Sequence, residues 1–211
     1  MCGGKGTRFR GQNKSLTKYK NRTIISYVLE ALRDINVKFI VLQTDQQHAR
    51  KIKLEAEKYL NNFLVNPNPP KRFREGIKNN LKYLTNQFLF VVGNQPMDAS
   101  FLRKLEYPCK NKNSWAVTLY PKESTTEDVI VSLSENKITC QKGDFVLLHP
   151  SILTKDIIGL QQKEGFKNKL EHTIKNQIGN REIYGLKAAM PPEFDDETMF
   201  KNTISYIKQK K

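Results

Sequence analysis

The sequence is poor in the residues that build covalent or metal-held frameworks. It has three cysteines and three histidines in 211 residues: Cys2, Cys109 and Cys140, and His48, His149 and His172. The cysteines are odd in number, widely spaced and not arranged in metal-ligand pairs. This pattern argues against a disulfide framework and a zinc site, and it favours a reducing, cytoplasmic compartment. The histidines stand in unrelated sequence contexts, and we interpret them as surface or packing residues.

Long apolar runs are also absent. A membrane-spanning helix needs roughly 20 consecutive apolar residues, whereas runs such as 88–92 have the length of a single strand. The glycine-rich segment begins at the third residue, and nothing before it resembles a signal peptide. We therefore expect a cytoplasmic protein without a membrane partner, whose 38% hydrophobic residues suffice for a globular core.

Acidic residues are few. There are 21 of them against 36 lysines and arginines, which gives a formal net charge of +15. One interpretation is a nucleic-acid-binding surface, because Lys and Arg clusters neutralise phosphates. The basic residues are scattered, however, and aromatic residues do not alternate with them as in RNA-binding motifs. General residue bias is the favoured interpretation, with nucleic acid the weaker alternative, and the excess charge also suits an anionic substrate.

What is present is an alternation of helical and strand-like periods, which predicts an α/β fold. The second half changes to short strands, with a hairpin expected at Ser134-Glu135-Asn136 and a helix after Pro150. The expected helices cover 24–32, 46–61, 76–84, 101–105 and a final segment from Asp195. The expected strands cover 37–42, 63–65, 88–92, 115–120, 129–133, 137–139, 145–148 and 183–186.

The most informative segment is the glycine-rich stretch from Cys2 to Leu16. Glycines let a backbone approach a phosphate closely and direct successive N–H groups at an anion. Arg8 and Lys14, six residues apart, would then clamp a triphosphate from two sides. The stretch matches neither a Walker A loop nor a Gly-x-Gly-x-x-Gly fingerprint. Taken alone, a glycine-rich loop leaves open the alternative of a simple surface turn.

The whole string is more specific than its glycines. It resembles the Gly-Gly-x-x-x-Arg, spacer, Lys-x-Leu signature of the Rossmann-like nucleotidyltransferases, with Gly3, Gly4, Arg8, Lys14 and Leu16 at the signature positions. The resemblance continues through 21–28 into the first expected helix. Residues 89–97 resemble the family's second signature, a strand ending in Gly-Asp-x-Pro-Leu. The spacer is most similar to those of molybdenum-cofactor guanylyl- and cytidylyltransferases and of archaeal adenosylcobinamide-phosphate guanylyltransferase; sugar-1-phosphate nucleotidyltransferases share a looser version.

This resemblance implies a single Rossmann-like, three-layer αβα domain with a mostly parallel mixed sheet. About 1–107 would bind the nucleotide and about 108–211 the acceptor. It further implies transfer of a nucleoside monophosphate, with GMP preferred, from a nucleoside triphosphate to a phosphorylated small molecule in cofactor biosynthesis. The implied nucleotide-binding residues are Gly3, Gly4, Gly6, Thr7, Arg8 and Lys14, of which Arg8 and Lys14 would be catalytic. The implied cofactor is Mg²⁺, with Asn94 and Asp195 as its ligands.

Position 94 departs from the family pattern, because Asn94 stands where the family has a metal-binding aspartate. An amide oxygen can coordinate magnesium, but it brings no negative charge. Asp98 lies nearby and is interpreted as a helix N-cap. Asp195 is a candidate second ligand that would also cap its helix. A silent nucleotide-binding or regulatory protein is therefore the alternative to an enzyme.

The start of the sequence is the second departure. The family has a strand of about five apolar residues before its glycine loop, in the middle of the sheet, whereas only Met1 and Cys2 precede Gly3. Without that strand its neighbours would leave backbone groups unpaired, at roughly 1–3 kcal/mol for each buried group. We therefore expect the natural protein to begin upstream of Met1.

Overall fold

The structure is a computed structural model that describes residues 13–68, 75–111, 113–122, 129–139, 143–165, 169–188, 191, 194 and 196–210. The helices are α1 (Ile24–Asp34), α2 (Gln46–Ala56), α3 (Glu75–Asn80), α4 (Ala99–Glu106), α5 (Ile157–Lys163), α6 (Leu170–Lys175) and α7 (Glu197–Gln209). The strands are β1 (Lys18–Tyr19), β2 (Arg22–Thr23), β3 (Ile40–Gln43), β4 (Phe63–Asn66), β5 (Gln87–Phe90), β6 (Trp115–Pro121), β7 (Ile130–Ser134), β8 (Lys137–Thr139), β9 (Phe145–Thr154) and β10 (Ile183–Lys187).

The chain divides into two compact units. The first consists of Met1–Pro69, Val92–Leu102 and Ala189–Lys211, and the second of Pro70–Val91 and Arg103–Ala188. The α/β class predicted from the sequence is confirmed, since helices and strands alternate along the chain. The three-layer arrangement and the division into nucleotide and acceptor halves stay predictions.

The first unit is built around the apolar face of α1. The predicted helical spacing is confirmed, because the five residues on that face are each at most 4% exposed: Ile24, Ile25, Val28, Leu29 and Leu32. Ile24 packs with Phe194 and with Ile207 of α7 in one apolar cluster. Burial of such side chains, at roughly 1.5–3 kcal/mol each, holds the C-terminal helix to the N-terminal half of the sequence.

A βαβ segment completes the first unit. β3 and β4 pair in parallel over their whole length, and α2 connects them. Asp45 begins α2 by accepting a hydrogen bond from the backbone N–H of His48 at 2.9 Å. Parallel pairing places the carboxyl ends of both strands at one edge, where the sequence continues as Thr44-Asp45 and Pro67-Asn68.

The second unit contains a six-stranded sheet with the order β5-β9-β6-β10-β8-β7. The mostly parallel sheet expected from the sequence is not what its pairings show. Among the described strands of both units, β3–β4 and β6–β10 are parallel and the other six pairings are antiparallel. Short connections, such as the hairpin at Glu135-Asn136, join only antiparallel neighbours. That hairpin is confirmed, with φ of +46° and +67° at its two turn residues.

β9 corrects a second expectation. The sequence predicts a strand ending at residue 148 and a helix after Pro150, but β9 runs to Thr154 and α5 begins at Ile157. The pairing of β9 with β6 shifts register beside His149-Pro150. A proline is tolerated at such a bulge because no ladder hydrogen bond is needed from its missing N–H. The carbonyl of Pro150 accepts the hydroxyl of Thr118 at 2.7 Å instead.

Within the part of the chain that the structure describes, no helix is long and apolar enough to cross a membrane.

Candidate functional site

Two of the residues singled out in the sequence are described by the structure, namely Lys14 and Asn94. The others lie outside the described residues: Gly3, Gly4, Gly6, Thr7, Arg8 and Asp195. Both described candidates belong to the first unit.

The backbone that carries Lys14 is fixed at both ends. Lys14 opens a single 3₁₀ turn, 14–16, whose N-cap Asn13 accepts the backbone N–H of Ser15 at 3.0 Å. Asn13 and Ser15 are 6% and 4% exposed. After the turn, the carbonyl of Thr17 accepts the first N–H of α1, from Ile24, at 2.8 Å. Lys14 therefore projects from a short, anchored turn in front of α1.

Among the described residues of the first unit, three buried threonine hydroxyls have no hydrogen-bond partner: Thr17, Thr23 and Thr44. Thr17 follows the Lys14 turn, Thr23 precedes α1, and Thr44 follows β3. Buried polar groups are almost always hydrogen-bonded, so an unpaired hydroxyl calls for a water molecule or a ligand group to complete it. The sequence gives little signal for these residues, since a threonine looks the same whether its hydroxyl is paired or not.

The carboxyl ends of β3 and β4 are tied together by one side chain. The amide nitrogen of Gln43, which is 2% exposed, donates to the carbonyls of Asn66 at 3.0 Å and Asn68 at 2.5 Å. In open α/β sheets, ligands bind beyond the carboxyl ends of parallel strands. Gln43 therefore stabilises the edge at which a nucleotide would be expected, and our sequence analysis did not single it out.

Asn94 lies in a short buried loop after β5. It is 6% exposed, and its amide nitrogen donates to the carbonyl of Phe194 at 3.2 Å. The neighbouring Gln95, 1% exposed, donates to the carbonyl of Pro191 at 3.3 Å. No described residue donates to the amide oxygen of Asn94. The structure thus holds Asn94 by its nitrogen, against the residue that precedes Asp195 in the sequence.

Asp98 has partners that the sequence did not suggest. It directly precedes α4, as expected for an N-cap, but its carboxylate lies 2.5 Å from the Lys210 ammonium and accepts the Tyr206 hydroxyl. Burial, together with this carboxylate, raises the pKa of Tyr206 above its usual range. The hydroxyl therefore stays protonated and is the donor. Asp98 binds α7 with these two contacts, so its charge is already compensated within the protein.

The capping role expected of Asp195 belongs to its neighbour. The carboxylate of Asp196 accepts the backbone N–H of Met199 at 2.8 Å, and α7 begins at Glu197. The helix thus begins two residues later than the sequence analysis placed it. A capping requirement therefore gives no reason to assign Asp195 a structural role.

The described residues contain no group of three or more His, Cys, Asp or Glu side chains that could hold a metal ion. They do offer the Asn94 amide oxygen, which is chemically suited to Mg²⁺. Magnesium in nucleotide-dependent enzymes is commonly bound by one or two carboxylates together with substrate phosphates. An amide oxygen with a neighbouring carboxylate is a donor set of this kind; Asp195, the expected second ligand, lies outside the described residues.

The second unit contains a buried contact between a histidine and a carboxylate. Nε2 of His149 lies 2.9 Å from a carboxylate oxygen of Glu171, and the His149 ring packs edge-on against Phe90 with 4.5 Å between ring centroids. Burial raises the pKa of Glu171, but the adjacent His149 outweighs this effect and holds it below its usual value. His149 is 6% exposed, in keeping with the packing role inferred from the sequence.

Solved structures resemble the chain over nearly its whole length. A Bacillus anthracis protein described as a glucose-1-phosphate thymidylyltransferase is 10% identical, with a TM-score of 0.79, over 97% of this chain and 92% of that one. The inositol-1-phosphate CTP transferase of T. maritima is 14% identical, with a TM-score of 0.73, and the match covers 99% of this chain and 94% of that one. A UDP-glucose pyrophosphorylase bound to UDP-glucose is 14% identical, with a TM-score of 0.77, and the match covers 99% of this chain and 97% of that one. At these identities the likeness shows a shared fold.

No curated protein sequence matches the chain. The sequence profile of the MobA-like NTP transferase domain does match it, over residues 1–170. That span includes the glycine loop, the Lys14 turn, the βαβ segment and the Asn94 loop. The chain therefore belongs to the MobA-like NTP transferase domain family, as its N-terminal signature indicates.

Proposed function

We propose that the protein transfers a nucleoside monophosphate from a nucleoside triphosphate to a phosphorylated small molecule, releasing pyrophosphate. Membership of the family supports this reaction class. The structural observation that carries it is Asn94, held by its amide nitrogen against the Phe194 carbonyl. Its amide oxygen would bind a cation together with Asp195, the residue that follows Phe194 in the sequence.

In this reaction a phosphate oxygen of the acceptor attacks the α-phosphorus, and the bond from that phosphorus to the β-phosphate bridging oxygen breaks. The products are a nucleoside-diphosphate-linked acceptor and pyrophosphate. The backbone of Gly3, Gly4, Gly6 and Thr7 would bind the nucleotide. Arg8 and Lys14 would stabilise the negative charge on the triphosphate and on the leaving pyrophosphate. Positioning and charge neutralisation supply most of the rate in such reactions.

Magnesium would be held by the Asn94 oxygen and the Asp195 carboxylate. When bound, the metal would neutralise charge on the phosphates and orient them. The protein contributes a fixed ligand position, because the hydrogen bond to Phe194 restrains the Asn94 side chain. Having Asn94 in place of an aspartate lowers the negative charge at the site by one, and we expect weaker metal binding than a carboxylate would give.

The base would lie toward the carboxyl ends of β3 and β4, where Gln43 and the unpaired Thr44 hydroxyl are located. Guanine is our proposal, on the similarity of the N-terminal spacer to those of guanylyltransferases. The structural relatives are named for thymidine, cytidine and uridine nucleotides, so a panel of all bases is required. We propose that the acceptor is a pterin cofactor, a cobinamide phosphate or a sugar phosphate.

The test is a pyrophosphate-release assay with each of GTP, ATP, CTP, UTP and dTTP against a set of phosphorylated acceptors. We expect one pair to give magnesium-dependent turnover. Lys14→Met should reduce kcat/KM by about 100-fold, because one charge-assisted phosphate contact is worth about 1.5–3 kcal/mol. Lys18→Met is the matched control, since Lys18 is an exposed lysine four residues further on. Equal rates for the two variants would contradict the role of Lys14.

A second candidate function follows from the neutral side chain at position 94. A protein that binds a nucleotide without transferring its monophosphate needs the glycine loop but no anionic metal site. Nucleotide binding that does not change when magnesium is removed, without pyrophosphate release for any acceptor, would favour this regulatory function. Asn94→Asp would then be expected to create turnover rather than modify it.

A further inference from the structure

Three side chains of the loop at 92–98, those of Asn94, Gln95 and Asp98, attach it to the C-terminal segment of the first unit. These contacts join Asn94 to the Phe194 carbonyl, Gln95 to the Pro191 carbonyl, and Asp98 to both Tyr206 and Lys210. The first two are neutral hydrogen bonds to backbone. The third is charge-assisted on both sides, which makes it the strongest of the set.

The Asp98 contact joins the beginning of one helix to the end of another. Asp98 immediately precedes α4, and its backbone carbonyl accepts the N–H of Leu102 at 3.2 Å. Tyr206 lies in the last turns of α7 and is 8% exposed, whereas Lys210 follows that helix at the surface with 49% of its side chain exposed. The carboxylate is therefore held from a buried side by a hydroxyl and from an exposed side by an ammonium group.

We propose that Asp98, Tyr206 and Lys210 form a latch that positions Asn94 for the metal-bound nucleotide. The proposal rests on the proposed function. Asp98 is the positioning residue, and Tyr206 and Lys210 hold it.

These contacts restrain the segment that carries Asn94. Within the first unit, Asn94 and Gln95 are hydrogen-bonded to backbone carbonyls at 194 and 191, and Asp98 contacts Tyr206 and Lys210, so the segment 94–98 is fixed at both ends. A segment fixed at both ends has few conformations left to lose when it binds a ligand. A displacement of about 1 Å at a reacting group can cost about 100-fold in rate, so a contact four residues from Asn94 affects function.

The same contacts exclude Asp98 as a replacement for the missing family aspartate. Its carboxylate is already paired with Lys210 at 2.5 Å and with the Tyr206 hydroxyl, so a metal would compete with both contacts for its charge. The charge at position 98 therefore contributes geometry, whereas the ligand atom remains the Asn94 oxygen.

The first experiment measures the latch without any substrate. Hydrogen–deuterium exchange of the backbone amides in 92–97 is compared in wild type, Lys210→Met and Tyr206→Phe. We expect exchange in both variants to be faster by about tenfold, because a removed tertiary contact lowers the free energy of local opening. Lys208→Met is the matched control, as Lys208 is an exposed lysine in α7, and its exchange should equal that of wild type.

The second experiment separates positioning from stability. In the pyrophosphate-release assay, Lys210→Met and Tyr206→Phe should lower kcat and raise the magnesium concentration for half-maximal rate by about five- to tenfold, within the effect of an about 1 Å displacement. The KM for the nucleotide should change little, since the glycine loop is untouched. Lys210→Arg, which keeps the charge, should restore the wild-type magnesium dependence.

The outcomes distinguish the latch from the proposed function. If Lys210→Met and Lys208→Met show the same exchange in 92–97, the latch is refuted whatever the activity. If exchange rises but the magnesium dependence stays at the wild-type value, the contact is structural only and the positioning role is refuted. If wild type releases no pyrophosphate with any nucleotide, the proposed function fails, and with it the positioning role, while the exchange result still decides whether the latch forms.

Discussion

Two polar networks, one in each unit and each with buried members, differ in how completely their groups are paired. In the second unit, the Thr154 hydroxyl accepts the indole N–H of Trp115 at 2.6 Å and a guanidinium N–H of Arg181 at 2.5 Å, and donates to Asp156. In the first unit, the Asn94 nitrogen donates to the Phe194 carbonyl, while among the described residues no donor reaches the Asn94 oxygen and no partner reaches the Thr44 hydroxyl. A network in which every donor and acceptor is hydrogen-bonded stabilises a fold, whereas one that leaves a donor or acceptor without a hydrogen bond can bind a ligand.

The electrostatics of the two networks differ in the same way. Burial raises the pKa of Asp156, but its contacts with Thr154 and Arg181 outweigh this and lower it. The guanidinium of Arg181 also stacks on the Trp115 ring, with 4.2 Å between its Cζ atom and the ring centroid. Each charge in this network therefore has an opposite charge beside it. Asn94 contributes no charge, so a cation bound there would rely on Asp195 and on the phosphates of the nucleotide.

The largest expected effect tests whether the second unit's buried charges are purely structural. His149→Leu leaves Glu171 buried without its partner, and breaking such a pair costs about 3–5 kcal/mol. Chemical denaturation should show that loss. Turnover of the folded fraction should match that of wild type, because neither side chain belongs to the proposed site.

The double variant His149→Leu/Glu171→Leu is the control for this prediction. Replacing both charges by apolar groups removes the uncompensated carboxylate, and most of the stability should return. Stability as low as that of the single variant would show that packing around the His149 ring, rather than the ion pair, is responsible.

The same pair predicts a pH dependence. The pKa of Glu171 is lower in the folded protein than its ordinary value of 4.5, so the unfolded chain takes up the proton first as pH falls. Its contribution to stability is therefore complete above that value and is lost as pH falls through the lowered folded-state pKa. Acid titration of unfolding should show this loss in wild type, and it should be absent from the double variant.

Removing the central hydroxyl of the Thr154 network is the next largest effect. Thr154→Val leaves the buried indole N–H of Trp115 without its acceptor, at about 1–3 kcal/mol, whereas Arg181 keeps its contacts with Asp156. Thr154→Ser keeps the hydroxyl and should lose much less. A denaturation midpoint for Thr154→Val equal to that of Thr154→Ser would contradict the satisfied network.

The smallest effect concerns Asn94, where the comparison predicts a stability that depends on metal. Asn94→Asp replaces a donor to the Phe194 carbonyl by an acceptor, and should lower stability by about 1 kcal/mol in the presence of a chelator. Added magnesium should restore it, because the new carboxylate is a better ligand than the amide. Thermal melting with and without magnesium measures both effects, and an unchanged melting temperature in chelator would show that the amide nitrogen is not the group held by Phe194.

The sequence alone predicts those features that depend on local pattern. The apolar face of α1, the β7–β8 hairpin and the family signature around Lys14 all follow from residue spacing and turn chemistry. β9 was mispredicted, because a proline usually ends a strand and only tertiary pairing reveals the bulge that accommodates Pro150.

The candidate site was also predictable only where it depends on local sequence pattern. Asn94 stands out through its departure from a signature that is contiguous in sequence. The partners of Asp98 could not be found this way, since Tyr206 and Lys210 are more than 100 residues away and tyrosines and lysines are common in this sequence. Contacts of that separation come from the packing of α7 against the N-terminal half, which no local pattern encodes.

The most direct test of the central claim is a thermal-shift panel of wild type and Lys14→Met with GTP, ATP, CTP and UTP, each with magnesium or with a chelator. A nucleotide at about 100 times its dissociation constant adds about 2.7 kcal/mol, or about 5–10 °C for a chain of this size. The account predicts a magnesium-dependent shift with one nucleotide, strongly reduced in Lys14→Met. No shift with any nucleotide, or the same shift in both proteins, would contradict it.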